Sequence, residues 1–319
     1  MRALVTGGAG FIGSNLADAL VDQGADVVVL DDLSSGFADN VNRRARLVEG
    51  DVADADAVAA AVDGCELVFH LAAHRAVFRS VEQPLATDRA NVAGTLTVLV
   101  AARDAGVRRV VAASSSSVYG GAEQLPTPEH APLVPRSPYA VSKLAGEHYC
   151  RVFWELFGLE TVSLRYFNVY GPRQRPDSRY AAVVPLFIDS LLSGRAPEVH
   201  GDGLQSRDFT FVADAVEANL LAAEARAEDC SGRAYNVSGG RPYTLMELLA
   251  TLEGELGTKA RPVHTDPRPG DVRHSYADIS AARQDLGYRP SVTFSEGLGR
   301  TAAWLARAPA TSSARHPAP

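Results

Sequence analysis

Tyr139 and Lys143 stand four residues apart directly after Ser137-Pro138, in a chain that otherwise avoids lysine. Of its 31 basic residues only Lys143 and Lys259 are lysine, which leaves 31 − 2 = 29 arginines. Serine at a cap followed by proline at the first helical position predicts a helix start, with Tyr139 and Lys143 one turn apart on one face. An ammonium beside a phenol favours the phenolate and brings a pKa of about 10 toward working pH, so Tyr139 reads as a general base. A guanidinium is a broad planar fork. An ammonium is a compact point charge that can bond ribose hydroxyls and still sit under a ring, which is the reason to write lysine here. The other reading of the pair is packing on a solvated helix.

A second constellation is Thr6-Gly7-Gly8-Ala9-Gly10-Phe11-Ile12-Gly13, between an apolar strand pattern and a helical one. Glycines at 7, 10 and 13 allow a tight turn, a close approach of backbone N–H groups to a pyrophosphate, and contact between helix and strand. Phe11 and Ile12, at the helix start, belong to the same cradle. The next strand ends in Asp31-Asp32, 31 − 13 = 18 residues past the third glycine. That is close to the ~20 expected of a dinucleotide fold, in which the acid accepts the adenosine ribose hydroxyls. Asp31 selects NAD, because a 2′-phosphate would meet its charge. Asp51 and Val52, after the third strand, present a carboxylate and an N–H to adenine. The alternative is a structural turn followed by a surface acid.

Both constellations need a scaffold, and the sequence predicts one. Apolar, β-branched runs at Arg2–Thr6, Asp26–Leu30, Arg46–Glu49, Leu67–Leu71, Val107–Ala113 and Thr161–Tyr166 alternate with amphipathic stretches such as Gly13–Gln23 and Ala53–Val62. That alternation is the pattern of an α/β protein, a Rossmann-type doubly wound parallel sheet covered on both faces. Beyond Tyr166, proline and glycine interrupt shorter helices. This predicts a dinucleotide domain over 1–166 and a smaller, partly interleaved substrate domain over 167–307. Short strands at Asp208–Phe211 and Ala234–Val237, within 201–238, could return to the first sheet. Residues 308–319 are low in complexity and read as a disordered tail.

Composition bounds the rest. The chain has 319 residues, is 46% hydrophobic and carries a net charge of −7 with its basic residues scattered, which argues against nucleic acid as a partner. No apolar run approaches the ~20 residues of a membrane span, and the chain begins as a strand, so a cytoplasmic location is expected. Cys65, Cys150 and Cys230 lie far apart without a CxxC pair and predict neither disulfides nor a metal site.

Four motifs in order resemble the extended short-chain dehydrogenase/reductase family over about residues 1–305: Gly7-x-x-Gly10-x-x-Gly13, Ser115-Ser116-Ser117-Val118-Tyr119-Gly120, Tyr139-x-x-x-Lys143, and Arg165-Tyr166-Phe167-Asn168-Val169-Tyr170-Gly171-Pro172-Arg173-Gln174. The nearest branch is that of the nucleotide-sugar 4-epimerases. The resemblance implies Ser115 as third catalytic member, with Ser116 the neighbouring candidate. It also implies Ser35, Leu71, Ala72, Ala73, Asn91 and Tyr166 around NAD. Arg75, Asn168, Val183 and Arg207 are expected at a UDP-sugar, as are Arg268 with phosphate and Asp271 with the uridine ribose. A homodimer through Ala90–Ala105 and Tyr139–Phe157 is expected as well.

The family's shared step removes the C4 hydroxyl proton and the C4 hydride to give a 4-keto sugar. Its 4,6-dehydratases carry an Asp-Glu pair where this chain has Ser116 and Ser117, and its uronate decarboxylases a Glu where Ser117 stands. Without such an acid the expected fate is rotation of the ketone and return of the hydride to its other face, a 4-epimerisation. The alternatives are a dehydratase or decarboxylase of the same family, or a non-catalytic NAD-sensing protein. The sugar stays open: Tyr180-Ala181-Ala182-Val183 resembles epimerases of neutral hexoses, while Arg175-Pro176-Asp177 resembles uronate epimerases, whose Arg meets the C6 carboxylate.

Overall fold

A computed structural model describes residues 1–75, 77–177, 181–267 and 272–307. Seven strands form one sheet: β1 (Arg2–Thr6), β2 (Asp26–Asp31), β3 (Arg46–Glu49), β4 (Leu67–His70), β5 (Arg109–Ser115), β6 (Glu160–Tyr166) and, much later in the chain, β11 (Arg233–Val237). Their order is β3-β2-β1-β4-β5-β6-β11, every pair parallel. The order reverses between β1 and β4, and a crevice at that switch point is where such sheets bind ligands.

Apart from β3, whose edge position leaves Arg46, Leu47 and Glu49 exposed, the strands are largely buried on both sides, which is why they read as continuous apolar runs. One face packs against α1 (Phe11–Asp22) and α8 (Val212–Glu224) around Leu16, Leu20, Phe69, Leu164 and Ala218. The other packs against α2 (Ala55–Val62), α5 (Gly94–Asp104) and α6 (Pro138–Phe157) around Val28, Val68, Val98, Leu99 and Phe153. Before α5 the chain forms α3 (Val77–Glu82), α4 (Pro84–Asp88) and a π-helical turn at Arg89–Ala93 that runs straight into α5. The predicted Ala90 start of that helix therefore lies inside a longer one.

A third core joins the later elements α7 (Val183–Leu192), α10 (Leu245–Leu256) and α12 (Phe294–Arg307) through Phe187, Leu248, Leu252 and Leu298. Three two-stranded pairs edge it: β7 (Val169–Tyr170) with β10 (Thr210–Phe211), β8 (Glu198–His200) with β13 (Val263–Thr265), and β9 (Ser206–Asp208) with β12 (Pro242–Thr244). Of the two segments expected to return to the main sheet, only the later one does so, as β11. Asp208–Phe211 is instead split at Phe209 between β9 and β10. The bond of Thr210 Oγ1 to the Phe167 carbonyl, 2.5 Å, pins it beside β7 rather than at a sheet edge.

Candidate active site

The glycine turn is held by sterics. Gly7 sits at φ +70°, and a Cβ there would lie 2.6 Å from the Ala72 nitrogen. At Gly13 a Cβ would fall 2.2 Å from the Gly7 carbonyl oxygen. Backbone therefore meets backbone at the C-terminal ends of β1 and β4, and the start of α1 faces an open cleft. Gly7, Gly10, Phe11, Ile12, Gly13, Asp31, Asp32, Ser35, Asp51, Val52, Leu71, Ala72, Ala73 and Tyr166 all line it, together with Arg75, Tyr139 and Lys143. Gly50 joins them beside Asp51, and Ser34, His74, Ala90, Ala113 and Ser114, which sequence reasoning missed, complete the wall.

Asp31 is buried at the end of β2, where its carboxylate accepts the Ala9 N–H (2.9 Å) and the Leu33 N–H (2.9 Å). Burial pushes its pKa up against those two donors. A carboxylate has about four lone-pair directions, so acceptor capacity remains for a diol. Asp51 accepts the Ala53 N–H and pairs with Arg89 at 2.9 Å. Burial acts to raise its pKa, but the Ala53 and Arg89 bonds outweigh it and hold it below the ordinary carboxylate value. The cleft thus offers a glycine cradle with no room for a side chain, a helix N-terminus and a buried acid, and this donor set fits a dinucleotide.

Asn91 stands behind the wall. It lies in the π-helical turn, where its side chain accepts the His74 N–H (2.7 Å) and donates to the His74 carbonyl (3.2 Å) and to Ser142 Oγ (2.9 Å). Those bonds hold the cleft-lining 71–75 segment in place. Beneath the cleft, His70 bridges Thr6 (2.8 Å) and Thr95 (2.9 Å) with its two ring nitrogens. Burial and the nearby Lys143 push its pKa down to about 3, so it is a neutral strut.

Helix α6 starts as predicted: Ser137 Oγ accepts the Ala140 N–H at 3.1 Å, and Pro138 is the first helical residue. Tyr139 faces the Ser115 hydroxyl, which also accepts the Ser117 N–H at 3.2 Å to cap the short turn Ser116–Tyr119. The structure differs from the expected ammonium-under-phenol arrangement. Burial pushes the Tyr139 pKa up, and the groups that pull it back are Ser115 and Arg75. Lys143 Nζ donates instead to the Ala113 carbonyl at 2.8 Å, because β5 brings that carbonyl over the first turn of α6. Burial lowers the Lys143 pKa to about 8. Neither Ser116 nor Ser117 brings a carboxylate to Tyr139, and Ser117 Oγ is buried without a partner.

One network escaped sequence reasoning altogether. Glu147, a further turn along α6, accepts Ser114 Oγ and a forked pair from Arg165 (Nε 2.9 Å, Nη2 2.7 Å). Arg165 continues to Tyr119 OH at 2.7 Å, which donates to Asn236 at 2.8 Å. The i+4 step from Lys143 to Glu147 was the only hint in the sequence.

On the other lip, Asn168 adopts φ +37° and donates to the Asp208 carbonyl (2.9 Å) and to Ser275 Oγ (3.4 Å). Arg207 on β9 donates to the Ser206 and Arg273 carbonyls, and Val183 opens α7. The guanidinium of Arg175 stacks on Phe37, 3.8 Å from the ring centre, rather than pairing with Asp177. Arg173 pairs with Asp18 on α1 at 2.7 Å, and Asn15 on α1 donates to the Pro172 carbonyl at 3.2 Å. The expected substrate residues Arg268 and Asp271, like the tail 308–319, lie outside the described residues.

Comparison with known proteins agrees with this geometry. A UDP-glucose 4-epimerase of Mycolicibacterium smegmatis is 42% identical, across 94% of this chain and 97% of that one. The crystal structure of a Thermotoga maritima UDP-glucose 4-epimerase with UDP-glucose superposes with a TM-score of 0.92, at 38% identity over 96% of this chain and 99% of that one. The Bacillus cereus UDP-glucuronic acid 4-epimerase, in complex with UDP-glucuronic acid and NAD, gives a TM-score of 0.87 at 32% identity over 96% and 99% of the two chains. Residues 3–238 match the model of the NAD dependent epimerase/dehydratase family, which covers the sheet, the glycine turn and the Ser115–Tyr139–Lys143 cluster, and this chain is a member of that family.

Proposed function

We propose that the chain is an NAD-dependent 4-epimerase of UDP-sugars, with a neutral hexose as substrate. The observation that carries the reading is the Ser115–Tyr139–Lys143 cluster, with serine and not an acid at 116 and 117. Tyr139, as the phenolate, takes the C4 hydroxyl proton while Ser115 holds the same oxygen. The glycine turn and Asp31 would hold NAD, which would supply the acceptor for the C4 hydride and its return. With no carboxylate at 116 or 117 to draw water out across C5 and C6, the ketone turns over in the cleft and Tyr139 returns the proton after the opposite face is reduced. Atoms and electrons balance without net oxidation. Asn168, Arg207 and Val183 are the residues of this chain assigned to the nucleotide diphosphate side.

The neutral sugar follows from Arg175. Its guanidinium is committed to the Phe37 face, so it belongs to the cofactor loop rather than to a C6 carboxylate. Homodimerisation is part of the proposal. Val77, Phe78, Val81 and Leu85 on α3 and α4 expose large apolar side chains, as does Val141 of α6, the helix against which both pack. In the expected Ala90–Ala105 helix Val98 and Leu99 turn inward onto the sheet, so a contact through that helix would use its opposite face. A cytoplasmic location completes the reading. The three cysteines are buried free thiols, suited to a reducing compartment.

Incubating purified protein with UDP-glucose, UDP-N-acetylglucosamine and UDP-glucuronate, and resolving the sugars, tests this directly. Conversion of UDP-glucose to UDP-galactose is expected. Turnover of UDP-glucuronate alone would overturn the neutral-hexose reading, and a 4-keto-6-deoxy product would overturn epimerisation.

A further inference from the structure

Three successive residues at the end of β5 are each held by a different residue on one face of α6. The Ala113 carbonyl accepts Lys143 Nζ, Ser114 Oγ donates to Glu147, and the Ser115 hydroxyl meets the Tyr139 phenol. Positions 139, 143 and 147 lie on successive turns of one helix face, and all three meet the last three residues of the strand, though not in helical order. Glu147 is also gripped from the next strand, since Arg165 stands opposite Ser114 in the β5–β6 register and forks onto the same carboxylate. Both members of that ion pair are more than nine-tenths buried, with side-chain exposures of 6% and 7%.

We propose that Glu147 is the positioning residue of the Tyr139–Lys143 pair. It fixes the register of α6 over the strand end that carries Ser115, and it supplies the anion that keeps Lys143 charged. The inference rests on the 4-epimerase reading only for what Tyr139 and Lys143 do in turnover.

Cys150 and Glu147, both on α6, are the groups that act against burial to hold the proton on Lys143, and of the two Glu147 is the carboxylate. On α6 the ammonium is flanked by Cys150 and Glu147. From β4 it faces His70, and from the β6 side Tyr166 lines the same wall, with Arg165 behind Glu147. Burial keeps the Cys150 thiol protonated up to about 12, and His70 is neutral above about 3. Burial likewise keeps the Tyr166 phenol neutral where Lys143 titrates, and it raises the Tyr139 pKa in the cofactor-free protein. Glu147 is thus the full negative charge acting on an ammonium that burial is pushing to lose its proton.

The chain's composition makes the test direct. With ¹³Cε-lysine labelling only Lys143 and Lys259 give signals, and Lys259, 87% exposed, serves as internal control. In the NAD-loaded protein, Glu147→Gln is expected to lower the Lys143 titration midpoint by about one pH unit, the low end for loss of a nearby opposite charge. The alkaline limb of kcat should move by the same amount, with the KM for UDP-glucose changed by less than about threefold. Because Glu147→Gln strands a buried arginine, the double variant Glu147→Gln/Arg165→Met keeps the test open should the single one not fold. Its midpoint also falls, by less. An unchanged midpoint in whichever variant folds overturns the electrostatic role. The NMR readout needs no turnover, so it decides the matter even where the wild type ignores every UDP-hexose. Ser114→Ala, which keeps the ion pair, should lower kcat about tenfold while leaving Tm and the Lys143 midpoint in place. Wild-type kcat in that variant overturns the positioning role.

Discussion

At the scale of single residues, the site is a set of groups held in costly environments. Tyr139→Phe removes one oxygen and should keep fold and NAD content while lowering turnover by ~10² or more, the scale of a lost general base. Steady-state assays with NAD quantified in the same preparation check this. Lys143 is more telling, because its native pKa of about 8 lies below the ordinary lysine value of 10.5. The folded state releases that proton more readily than the unfolded chain, so the charged form costs stability below pH 8. The cost fades as pH rises through the window from 8 to 10.5. Lys143→Met should therefore raise Tm at pH 7 by a few degrees while abolishing turnover, and calorimetry at pH 7 and pH 10 should show the gain shrinking at the higher pH. A Tm that falls at pH 7 would refute the account. Roles at this scale were readable only where a residue signals locally. The Ser137-Pro138 cap and the i+4 spacing announced Tyr139 and Lys143. The Ser114–Glu147–Arg165 cluster was hidden because its members are 33 and 18 residues apart and meet only once β5, β6 and α6 are packed.

At the scale of elements, the glycine turn shows how little slack the cofactor cleft has. Gly10→Ala would place a Cβ 3.1 Å from the Gly7 oxygen, a contact that small shifts relieve, whereas Gly13→Ala would place one at 2.2 Å. The second substitution should destabilise by about 1–3 kcal/mol, the range for overpacking, and weaken NAD binding much more than the first. Thermal melts and NAD titration of the two variants would separate them, and equal effects would refute the close approach. Strand and helix positions in the first half were legible because periodic burial is a local property: β1 and β3 match their predicted bounds, and β2, β4 and β6 fall within a residue of theirs. The split of Asp208–Phe211 between two small pairs was not legible, since it depends on Phe167 and on β12, both distant in sequence. The π-helical turn at Arg89–Ala93 was hidden for the same reason. It carries Asn91, whose three bonds reach back to His74 and across to Ser142.

At the scale of the whole molecule, the apolar face on α3, α4 and α6 argues for a second copy. Leu85 is 85% exposed and Phe78 51%. Leaving several large apolar residues together in water is unfavourable by roughly 25 cal/mol per Å² of apolar surface, and a twofold partner with the same patch would cover it. Phe78→Glu/Leu85→Glu should turn a dimer into a monomer by light scattering with little change in the far-UV spectrum. A wild type that is monomeric at micromolar concentration would remove the dimer from the proposal.

The segment 172–175 is tied across to the cofactor-binding half at three points: Pro172 to Asn15, Arg173 to Asp18 and Arg175 to Phe37. These contacts join the second half to α1 and to the loop after β2, next to the glycine turn and Asp31 that would hold a nucleotide. An epimerase that kept its NAD would carry its own oxidant from one catalytic cycle to the next. Its output would then be indifferent to how oxidised or reduced the surrounding nicotinamide pool is, and would follow only the ratio of the two sugars it interconverts.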